Sequence, residues 1–593
     1  MIITCLGYDR INIRGTIVIK KWCIQNKYSI FIILLLTGFC GYFVSQSYGF
    51  LLYPDEFGYW TYAAMLAGYD WSDVVSLGSY YSYGYSLILF PIFVLCKNAV
   101  IAYRVAIAAN FILLVICFLM WKKLAEKLFG EEKKEICTFY AAIAVFYPSL
   151  LFYARTTLAE IVIVTLYAAI CMLFYHYLEY NRKSTLIMLV LALVYIHFIH
   201  MRTIAILIAG GMTLTGYYLV KKKKLKQTLL MIAALFAAFC VGICAKEWIT
   251  GHLYAASDSV SANDYAGQLG KLAYIFTKEG MLNFAISIAG KLLYLGLASF
   301  GLAYFGIIYA IKQILKAVSD YKKGKEMNPT VWFHIFILLS VIGATLVNAV
   351  YTVSPGRVDA LPYGRYHEYV VPVLMIFGIK EVSRTAKLMH DCLILFGMET
   401  LMTGMVVWSL TMYGQTNIHG YMMVGMSYMH DLNHFEPIPF FWKALGLGIV
   451  LTIGVTLIIR LANRYRGMEV VMTLILILEF ALMLRAGSLY LDNSARGAYR
   501  DTRIAERIEE LEQEHTREIY YCLSDNSYEL ISIIQFMLRE RDIQIIDRDM
   551  LSEDKIDSQA ILLIDYRDPM KEVLEEKYDK YLENGHFTMF YNE

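Results

Sequence analysis

Charged residues are scarce in this sequence. Asp, Glu, Lys and Arg together make up 18% of the 593 residues, whereas about 25% is usual in soluble domains. Hydrophobic residues make up 58% of the chain, and the mean hydropathy is +0.50. This composition excludes an ordinary soluble protein and indicates a polytopic membrane protein.

The signatures of several other classes are missing as well. No glycine-rich turn joins a strand to a helix in the way that nucleotide sites require, and no basic surface interleaved with aromatic residues indicates nucleic acid. His197 and His200 stand close together without an HxxxH motif, a CxxC motif or a dense carboxylate cluster beside them, so the residues do not predict a zinc site. Most of the eleven cysteines lie inside apolar runs, and only Cys522 falls in the C-terminal polar region, which excludes a disulfide framework there.

About thirteen apolar runs could cross a hydrocarbon core of about 30 Å. The predicted spans are 28–48, 100–121, 136–152, 158–179, 185–200, 203–220, 227–248, 289–315, 331–353, 367–381, 390–412, 440–461 and 468–488. The apolar stretch 84–96 is too short to cross easily and contains Pro91, so we predict a re-entrant or interfacial helix there. The predicted fold class is a polytopic α-helical membrane protein.

The positions of the lysines and arginines predict which side each loop faces. If the N-terminus lies in the cytoplasm, six basic loops all fall on the cytoplasmic side, as the positive-inside rule requires. Those loops contain WKKLAEKLFGEEKK, NRKS, KKKKLK, KAVSDYKKGK, KEVSRTAK and RLANRYRG. Counting 84–96 as a span would invert every later loop and place KKKK outside. We therefore predict a multi-pass protein of the cell membrane, surrounded by lipid, with a cytoplasmic segment at 1–27 and a transmembrane domain over 28–489.

The region 490–593 differs from the rest in composition, because it carries 25 acidic and 13 basic residues. With an odd number of spans before it, the region is predicted to be extracytoplasmic. Its pattern predicts helices over 498–515, 527–540 and 570–584, alternating with the strands EIYYCL, IQIID, AILLID and HFTMFY. Strands that alternate with helices predict a small α/β domain, for which we expect an accessory role.

The first outer loop, 49–99, contains the adjacent carboxylates Asp55 and Glu56, about seven residues beyond the first span. Carboxylates so close to a membrane need solvent or a partner, and one whose pKa is raised by burial could act as a general base toward a hydroxyl. The Pro54–Asp55 sequence is equally typical of a solvated turn. Many aromatic residues surround the pair, Tyr59 among them, and they suit either an interfacial aromatic belt or the stacking of a sugar.

The outer loop between the ninth and tenth spans ends in YGRYHEY, which holds Arg365, Tyr366, His367 and Glu368. An arginine at the start of a helix suits an anion, because the guanidinium group and the amides of a helix N-terminus both favour phosphate oxygens. The alternative is that Arg365 pairs with Glu368 on the first helical turn.

Two further outward span ends carry ionisable residues. Arg155 and Glu160 lie between the third and fourth spans, and Arg202 lies between the fifth and sixth. Each arginine could bind a phosphate or anchor its helix at the membrane surface. Glu399 and Glu479 lie well inside predicted spans, where an acidic residue either has a function or is satisfied by a neighbouring helix.

The order of these features resembles the GT-C superfamily of membrane glycosyltransferases, in particular the branch of the protein O-mannosyltransferases and the lipid A aminoarabinose transferases. The matching features, in chain order, are YPDEFGYW after the first span, the proline-containing YSYGYSLILFPIF, AYRVAIAAN, YPSLLFYARTTLAE and YGRYHEYVVP. The likeness covers roughly residues 28–490. The C-terminal region matches only in that such enzymes commonly carry an outer soluble domain.

The resemblance implies an enzyme that transfers a sugar, with inversion, from a polyprenyl phosphate to an acceptor outside the membrane. Asp55, the first acid of the pair, would act as the base, and Glu56 would support it or bind the acceptor. Arg365 would hold the lipid phosphate, with Arg202 and Arg155 behind it. The predicted substrate-binding residues are Tyr59, Glu160, Tyr366, His367 and Glu368. The acceptor could be a glycan, a lipid or a protein, and the resemblance leaves room for a divalent cation, which some relatives use.

Two other functions explain parts of the sequence. A transporter or flippase for lipid-linked glycans would explain Glu399 and Glu479, but transporters commonly bind their substrate near the membrane midplane, and the polar clusters here lie at span ends. A non-catalytic scaffold that presents the acidic domain would leave Asp55 and Arg365 unexplained. A structure in which Asp55, Arg365 and Arg202 surround one outward cavity with a groove open to lipid would favour the enzyme, whereas scattered positions would favour the transporter.

Overall fold

The structure is a computed structural model of the chain. It describes residues 26–592 except 79–80, 223–224, 254–264, 357, 416–417, 432–433, 466, 514, 524–529, 553–555 and 558. The predicted cytoplasmic segment 1–27 therefore lies almost entirely outside the described residues. Most of the described chain is helical, and one small sheet lies near the C-terminus.

Nineteen α-helices make up the described part of the chain before the C-terminal region. They are α1 (Lys27–Ser45), α2 (Asp55–Leu66), α3 (Ser72–Ser76), α4 (Ser86–Leu95), α5 (Ala99–Leu128), α6 (Lys134–Phe146), α7 (Pro148–Tyr153), α8 (Glu160–Tyr180), α9 (Lys183–Ile199), α10 (Ile204–Gly216), α11 (Leu225–Leu253), α12 (Tyr265–Ile275), α13 (Lys278–Ala298), α14 (Leu302–Lys322), α15 (Val331–Thr352), α16 (Val371–Arg384), α17 (Leu388–Met412), α18 (Pro437–Tyr465) and α19 (Met468–Tyr490). The C-terminal region consists of α20 (Asp492–Glu512), β1 (Ile519–Cys522), α21 (Ile531–Met537), β2 (Ile543–Ile546), α22 (Arg548–Ser552), β3 (Ile561–Asp565), α23 (Lys571–Lys577), β4 (Lys580–Asn584) and β5 (Phe587–Tyr591).

Eleven helices in the described ranges are long and apolar enough to cross a membrane, and α4 and α9 are shorter apolar helices. The polytopic helical fold predicted from composition is thereby confirmed. The stretch 84–96 forms only the ten-residue α4, which agrees with its exclusion from the predicted spans.

Two predicted spans have a different internal structure. The span predicted at 136–152 consists of α6 and α7, because Pro148 has no amide hydrogen to donate to a preceding turn and instead starts a new helix. The span predicted at 367–381 corresponds to α16, whose 14 residues cover about 21 Å. The helix begins only at Val371 because Arg365–His367 form a separate single turn before it.

The span predicted over 289–315 is not one helix, because the structure has two helices there, α13 and α14. Between them Phe300 and Gly301 have φ angles of 54° and 74°, a left-handed conformation that ends a helix and that glycine adopts at little cost. The Ser299 hydroxyl accepts a hydrogen bond from the Ala303 amide at 3.0 Å and satisfies a donor in the first turn of α14. Hydropathy did not reveal the break, since the apolar composition continues across it.

The five strands of the C-terminal region form one sheet in the order β2-β1-β3-β5-β4. Strand β1 is parallel to β2 and β3, whereas β5 is antiparallel to β3 and β4, so the small α/β domain is confirmed. The helix predicted at 570–584 is wrong in its second half, which forms β4. Gly585, with a φ of 60°, allows the tight turn that pairs β4 with β5, and β4 has a helix-like composition because its charged residues lie on an exposed sheet edge.

The C-terminal domain packs directly on the first loop of the membrane part. Arg539 donates hydrogen bonds to the carbonyl oxygens of Phe93 and Cys96, each at 2.5 Å. Trp71 Nε1 in turn donates to the carbonyl oxygen of Arg539 at 3.0 Å. One apolar core continues from the helical bundle into this domain. We call the end of the bundle that carries this domain the site end.

Candidate active site

Glu56 fixes the start of α2 at the site end. Its buried carboxylate accepts hydrogen bonds from the amides of Leu51, Leu52 and Thr157 at 2.7, 2.8 and 2.6 Å. The hydroxyls of Thr157 and Tyr103 donate to it at 2.7 and 2.8 Å. Burial raises the pKa of Glu56 above its ordinary value, and the amide donors oppose that rise. With five donors around it, the carboxylate ties the loop before α2 to the loop before α8.

Asp55, the neighbouring residue, has a more open environment. Its side chain is 27% exposed. The Tyr81 hydroxyl donates to its Oδ1 at 2.8 Å, and Arg365 Nη1 donates to its Oδ2 at 2.5 Å. Because Glu56 holds the preceding backbone, Asp55 is directed toward Arg365 rather than into the core.

Arg365, Glu160 and Arg202 continue the cluster into the interior. Arg365 Nε donates to Glu160 Oε1, and Arg202 Nη2 donates to the same oxygen at 2.7 Å. The side chains of these three residues are at most 3% exposed. Together with Asp55 they make a compact set of two arginines and two carboxylates. Arg365 therefore pairs with Glu160 and Asp55, not with Glu368 on its own helical turn.

Several polar atoms of this cluster have no hydrogen-bond partner among the described residues. They are Nε and Nη1 of Arg202 and Oε2 of Glu160, all buried. The Arg202 guanidinium carbon also lies 4.4 Å from the ring centroid of Tyr366. Leaving a buried donor unpaired costs about 1–3 kcal/mol, and more for a charged group. The N–H groups of Arg202 are therefore suited to an anionic ligand with several oxygens.

The neighbouring Glu368 belongs to a separate network. Its Oε1 accepts a hydrogen bond from the Tyr294 hydroxyl at 2.5 Å, and that hydroxyl also contacts Tyr147 and Ser149 at 3.2 and 3.1 Å. Burial raises the pKa of Glu368 to about 7, so this carboxyl is close to half protonated near neutral pH.

The other predicted substrate-binding residues lie around the cluster. His367 Nε2 is 3.1 Å from the Thr345 hydroxyl, and burial lowers the pKa of this histidine to about 3. The backbone carbonyl of Tyr366 accepts a hydrogen bond from Asn348 at 2.8 Å. Tyr59 is buried, and its hydroxyl has no hydrogen-bond partner within the described ranges.

Arg155 lies apart from the other two predicted phosphate ligands. Its Nη2 donates to Asp492 at 2.9 Å, and its guanidinium carbon lies 4.4 Å from the ring centroid of Phe43. These contacts belong to a half-open pocket of about 400 Å³ between α1, α19 and α20. The structure thus joins Arg365 and Arg202 through Glu160, whereas Arg155 pairs with Asp492.

Glu399 and Glu479 are fully buried. Neither carboxylate makes a hydrogen bond to any residue that the structure describes. Neither contacts Asp55 or Arg365 through a hydrogen bond.

Sequence reasoning missed two residues that shape the site. Tyr81 was one of many aromatics in its loop, and nothing in the sequence singled it out as the partner of Asp55. Lys291 carried a usable signal, because it is an ionisable residue within a predicted span. It is buried and donates to the Thr352 hydroxyl at 2.7 Å and to the Leu361 carbonyl at 3.2 Å, which ties the loop before Arg365 to α13.

A metal site is a separate question. Among the residues that the structure describes, no group of three or more His, Cys, Asp or Glu side chains is arranged to hold a metal ion.

Comparison with known proteins identifies the fold. No protein-family model and no curated protein matches the sequence. The crystal structure of ArnT from Cupriavidus metallidurans in the apo state aligns over 95% of this chain and 98% of its own, with a TM-score of 0.51 and 13% identity. The same protein bound to undecaprenyl phosphate aligns over the same shares with a TM-score of 0.51 and 12% identity. Arabinosyltransferase EmbB from Mycobacterium smegmatis aligns over 80% of this chain and 42% of its own, with a TM-score of 0.40 and 11% identity.

The chain therefore has the polytopic membrane fold of these solved ArnT structures. In particular it has the overall fold of ArnT, including a C-terminal domain, since the alignment covers nearly the whole of both chains. The resemblance that the order of motifs indicated is confirmed at the level of the fold.

Proposed function

We propose that this protein is a glycosyltransferase that moves a sugar from a polyprenyl phosphate to an acceptor hydroxyl, with inversion at the sugar. The observation that carries the proposal is the union of Asp55, Glu160, Arg202 and Arg365 in one cluster, in which all but Asp55 are buried. These residues come from four distant parts of the chain, and they are the residues for which the motifs predicted chemistry.

The donor side of the proposed site is formed by Arg365 and Arg202. Two guanidinium groups in a buried site suit a phosphate, whose oxygens can accept several charge-assisted hydrogen bonds. The unpaired Nε and Nη1 of Arg202 supply donors for such oxygens. The ArnT structure with bound undecaprenyl phosphate supports a lipid of this class, because the two chains share one fold.

Asp55 is proposed as the general base. In the reaction the acceptor oxygen forms a bond to the anomeric carbon from one face while the bond to the phosphate oxygen breaks on the other. The acceptor proton passes to Asp55, and the electrons of the broken bond remain on the lipid phosphate. One negative charge is thus lost at Asp55 and one is gained at the phosphate. Arg365 stands between the two positions and can stabilise the charge that develops on the leaving group.

Glu56 and Glu160 are proposed to support this chemistry without taking the proton. The five donors around Glu56 leave its oxygens no room for a substrate. Glu160 accepts from both arginines and so sets their spacing. Tyr59, Tyr366, His367 and Glu368 remain proposed substrate contacts. Arg155 is not included in the donor site.

We propose that the site end faces away from the cytoplasm. Ion pairs of Lys380 and Arg384 with Glu131 and Glu132 lie at the far end of α16, about 21 Å from its start. Two of the loops predicted to be cytoplasmic, those containing WKKLAEKLFGEEKK and KEVSRTAK, meet in these ion pairs, which supports the orientation. The acceptor, whether glycan, lipid or protein, would then be extracytoplasmic.

The direct test is transfer of labelled sugar by the purified full-length chain from a panel of undecaprenyl-phosphate sugars to membrane glycans, lipids and proteins. Asp55→Asn should reduce the rate by about 10²–10⁴-fold, the range for loss of a general base. Asp70→Asn is the matched control, because Asp70 is an exposed carboxylate in the same loop. Equal rates for the parent and Asp55→Asn would contradict the assignment of the base, and movement of a lipid-linked glycan across vesicles without transfer would favour the transporter.

A further inference from the structure

Arg365 contacts the proposed base and Glu160 together, although the proposed reaction needs its guanidinium group for the lipid phosphate. Its Nη1 is bonded to Asp55 Oδ2 at 2.5 Å, and its Nε is bonded to Glu160. The proposed base and the proposed phosphate ligand therefore neutralise each other directly. The guanidinium group thus occupies the side of Asp55 Oδ2 that a substrate hydroxyl would need to approach.

The second oxygen of Asp55 is occupied as well, because the Tyr81 hydroxyl donates to Oδ1 at 2.8 Å. Each Asp55 oxygen thus accepts one hydrogen bond, and a substrate hydroxyl that approaches Oδ2 meets the Arg365 guanidinium group beside it. The hydrogen bond from Tyr81 has a neutral donor, whereas the bond from Arg365 joins two opposite charges. Release of Arg365 is thus the step that frees the base.

The two contacts of Arg365 differ in how firmly they are held. Glu160 is 1% exposed and is shared with Arg202, so its position is fixed from both sides. Asp55 is 27% exposed and lies at the open side of the cluster. A phosphate that enters beside Arg202 would therefore take Nη1 from Asp55 while Nε stays on Glu160.

We infer that the lipid phosphate and Asp55 compete for Nη1 of Arg365, so that donor binding releases the base. The inference rests on the proposed function and adds an order to it: the donor binds first, and Asp55 accepts a proton only afterwards. The affinity for the lipid phosphate is lowered by the free energy needed to break the ion pair, as for any ligand whose binding-competent state is a minor one.

The test measures binding of undecaprenyl phosphate to the purified full-length chain in detergent. Asp55→Asn removes the competing charge and should tighten binding about tenfold. Arg365→Gln should weaken binding, and in that background Asp55→Asn should bring no further gain. Asp70→Asn is the control and should bind like the parent, and thermal unfolding in the same detergent checks that each variant is folded. If Arg365→Gln does not fold, Arg365→Lys replaces it, because one ammonium group cannot bridge Asp55 and Glu160 as the guanidinium does, and the gain should shrink.

Three outcomes separate the claims. Unchanged affinity in Asp55→Asn would overturn the inference, because no competition would exist. An equal gain with and without Arg365 would also overturn it, since the effect would then be general charge repulsion. If Arg365→Gln binds undecaprenyl phosphate as tightly as the parent, the donor site of the proposed function fails instead.

Discussion

At the scale of single residues, Asp55 and Glu56 are adjacent in the chain but have opposite environments. Glu56 is fully buried among five donors, whereas Asp55 is partly exposed and contacts Arg365. Two carboxylates acquire different roles when their surroundings differ in this way. Asp55 is suited to chemistry, and Glu56 is suited to holding the loop. The sequence could not assign these roles, because both residues have the same functional group and the same distance from the first span.

Glu368 gives a prediction about pH. Burial raises the pKa of its carboxyl from 4.5 to about 7, so the folded protein keeps this proton at a pH where the unfolded chain has lost it. The resulting stabilisation is fully present below pH 4.5 and is lost as the pH rises through 7, by at most about 3 kcal/mol. Glu368→Gln cannot ionise, and its hydrogen bond from Tyr294 is retained. Between pH 5 and 8 the Tm of the parent in detergent should therefore fall more steeply than that of the variant, and parallel Tm curves would contradict this environment for Glu368.

At the scale of elements, the break between α13 and α14 depends on Gly301. Its φ of 74° would cost an alanine about 1–2 kcal/mol, and an added Cβ would lie 2.7 Å from Cγ2 of Thr452. Gly301→Ala should thus lower the Tm of the purified protein. Gly397→Ala is the matched control, because this glycine lies inside α17 with open space around its Cβ position and alanine favours a helix there. Equal Tm values for the two variants would show that the break needs no glycine.

The helices and strands differ in how well the sequence predicts them. Spans such as α1, α5 and α19 were predictable, because their apolar runs are bounded by charged or turn residues. The prediction of a helix over 570–584 is wrong in its second half, because a charged edge strand and a charged helix have the same composition. The break at Ser299–Gly301 was not predicted for a related reason. Hydropathy averages over a window and does not detect three residues of irregular backbone.

At the scale of the whole molecule, the C-terminal domain is joined to the loop that carries the proposed base. Arg539→Ala removes the hydrogen bonds to the carbonyls of Phe93 and Cys96, each worth about 1.5–3 kcal/mol for a charged donor. We expect faster cleavage of the C-terminal domain in limited proteolysis and a lower rate of sugar transfer. Arg503→Ala is the control, because the Arg503 side chain is 61% exposed. If proteolysis does not distinguish the two variants, the domain is held by its apolar contacts instead.

The site itself is a property of the whole molecule. The motifs indicated Asp55, Arg155, Arg202 and Arg365 as candidates. The three arginines, however, all lie at a similar place in the sequence, the end of a predicted span. Only the packing of α8, the turn before α10 and the turn before α16 shows that Glu160 joins Arg202 to Arg365. The separation of Arg155 follows from its pairing with Asp492, a contact between residues 337 positions apart that no local pattern could predict.

The most direct test of the account is a structure of the full-length protein with undecaprenyl phosphate bound. We predict that the phosphate lies within hydrogen-bond distance of the guanidinium groups of Arg202 and Arg365, and that Arg365 Nη1 no longer contacts Asp55. A phosphate bound beside Arg155 and Asp492, with the contact between Arg365 and Asp55 intact, would contradict the account.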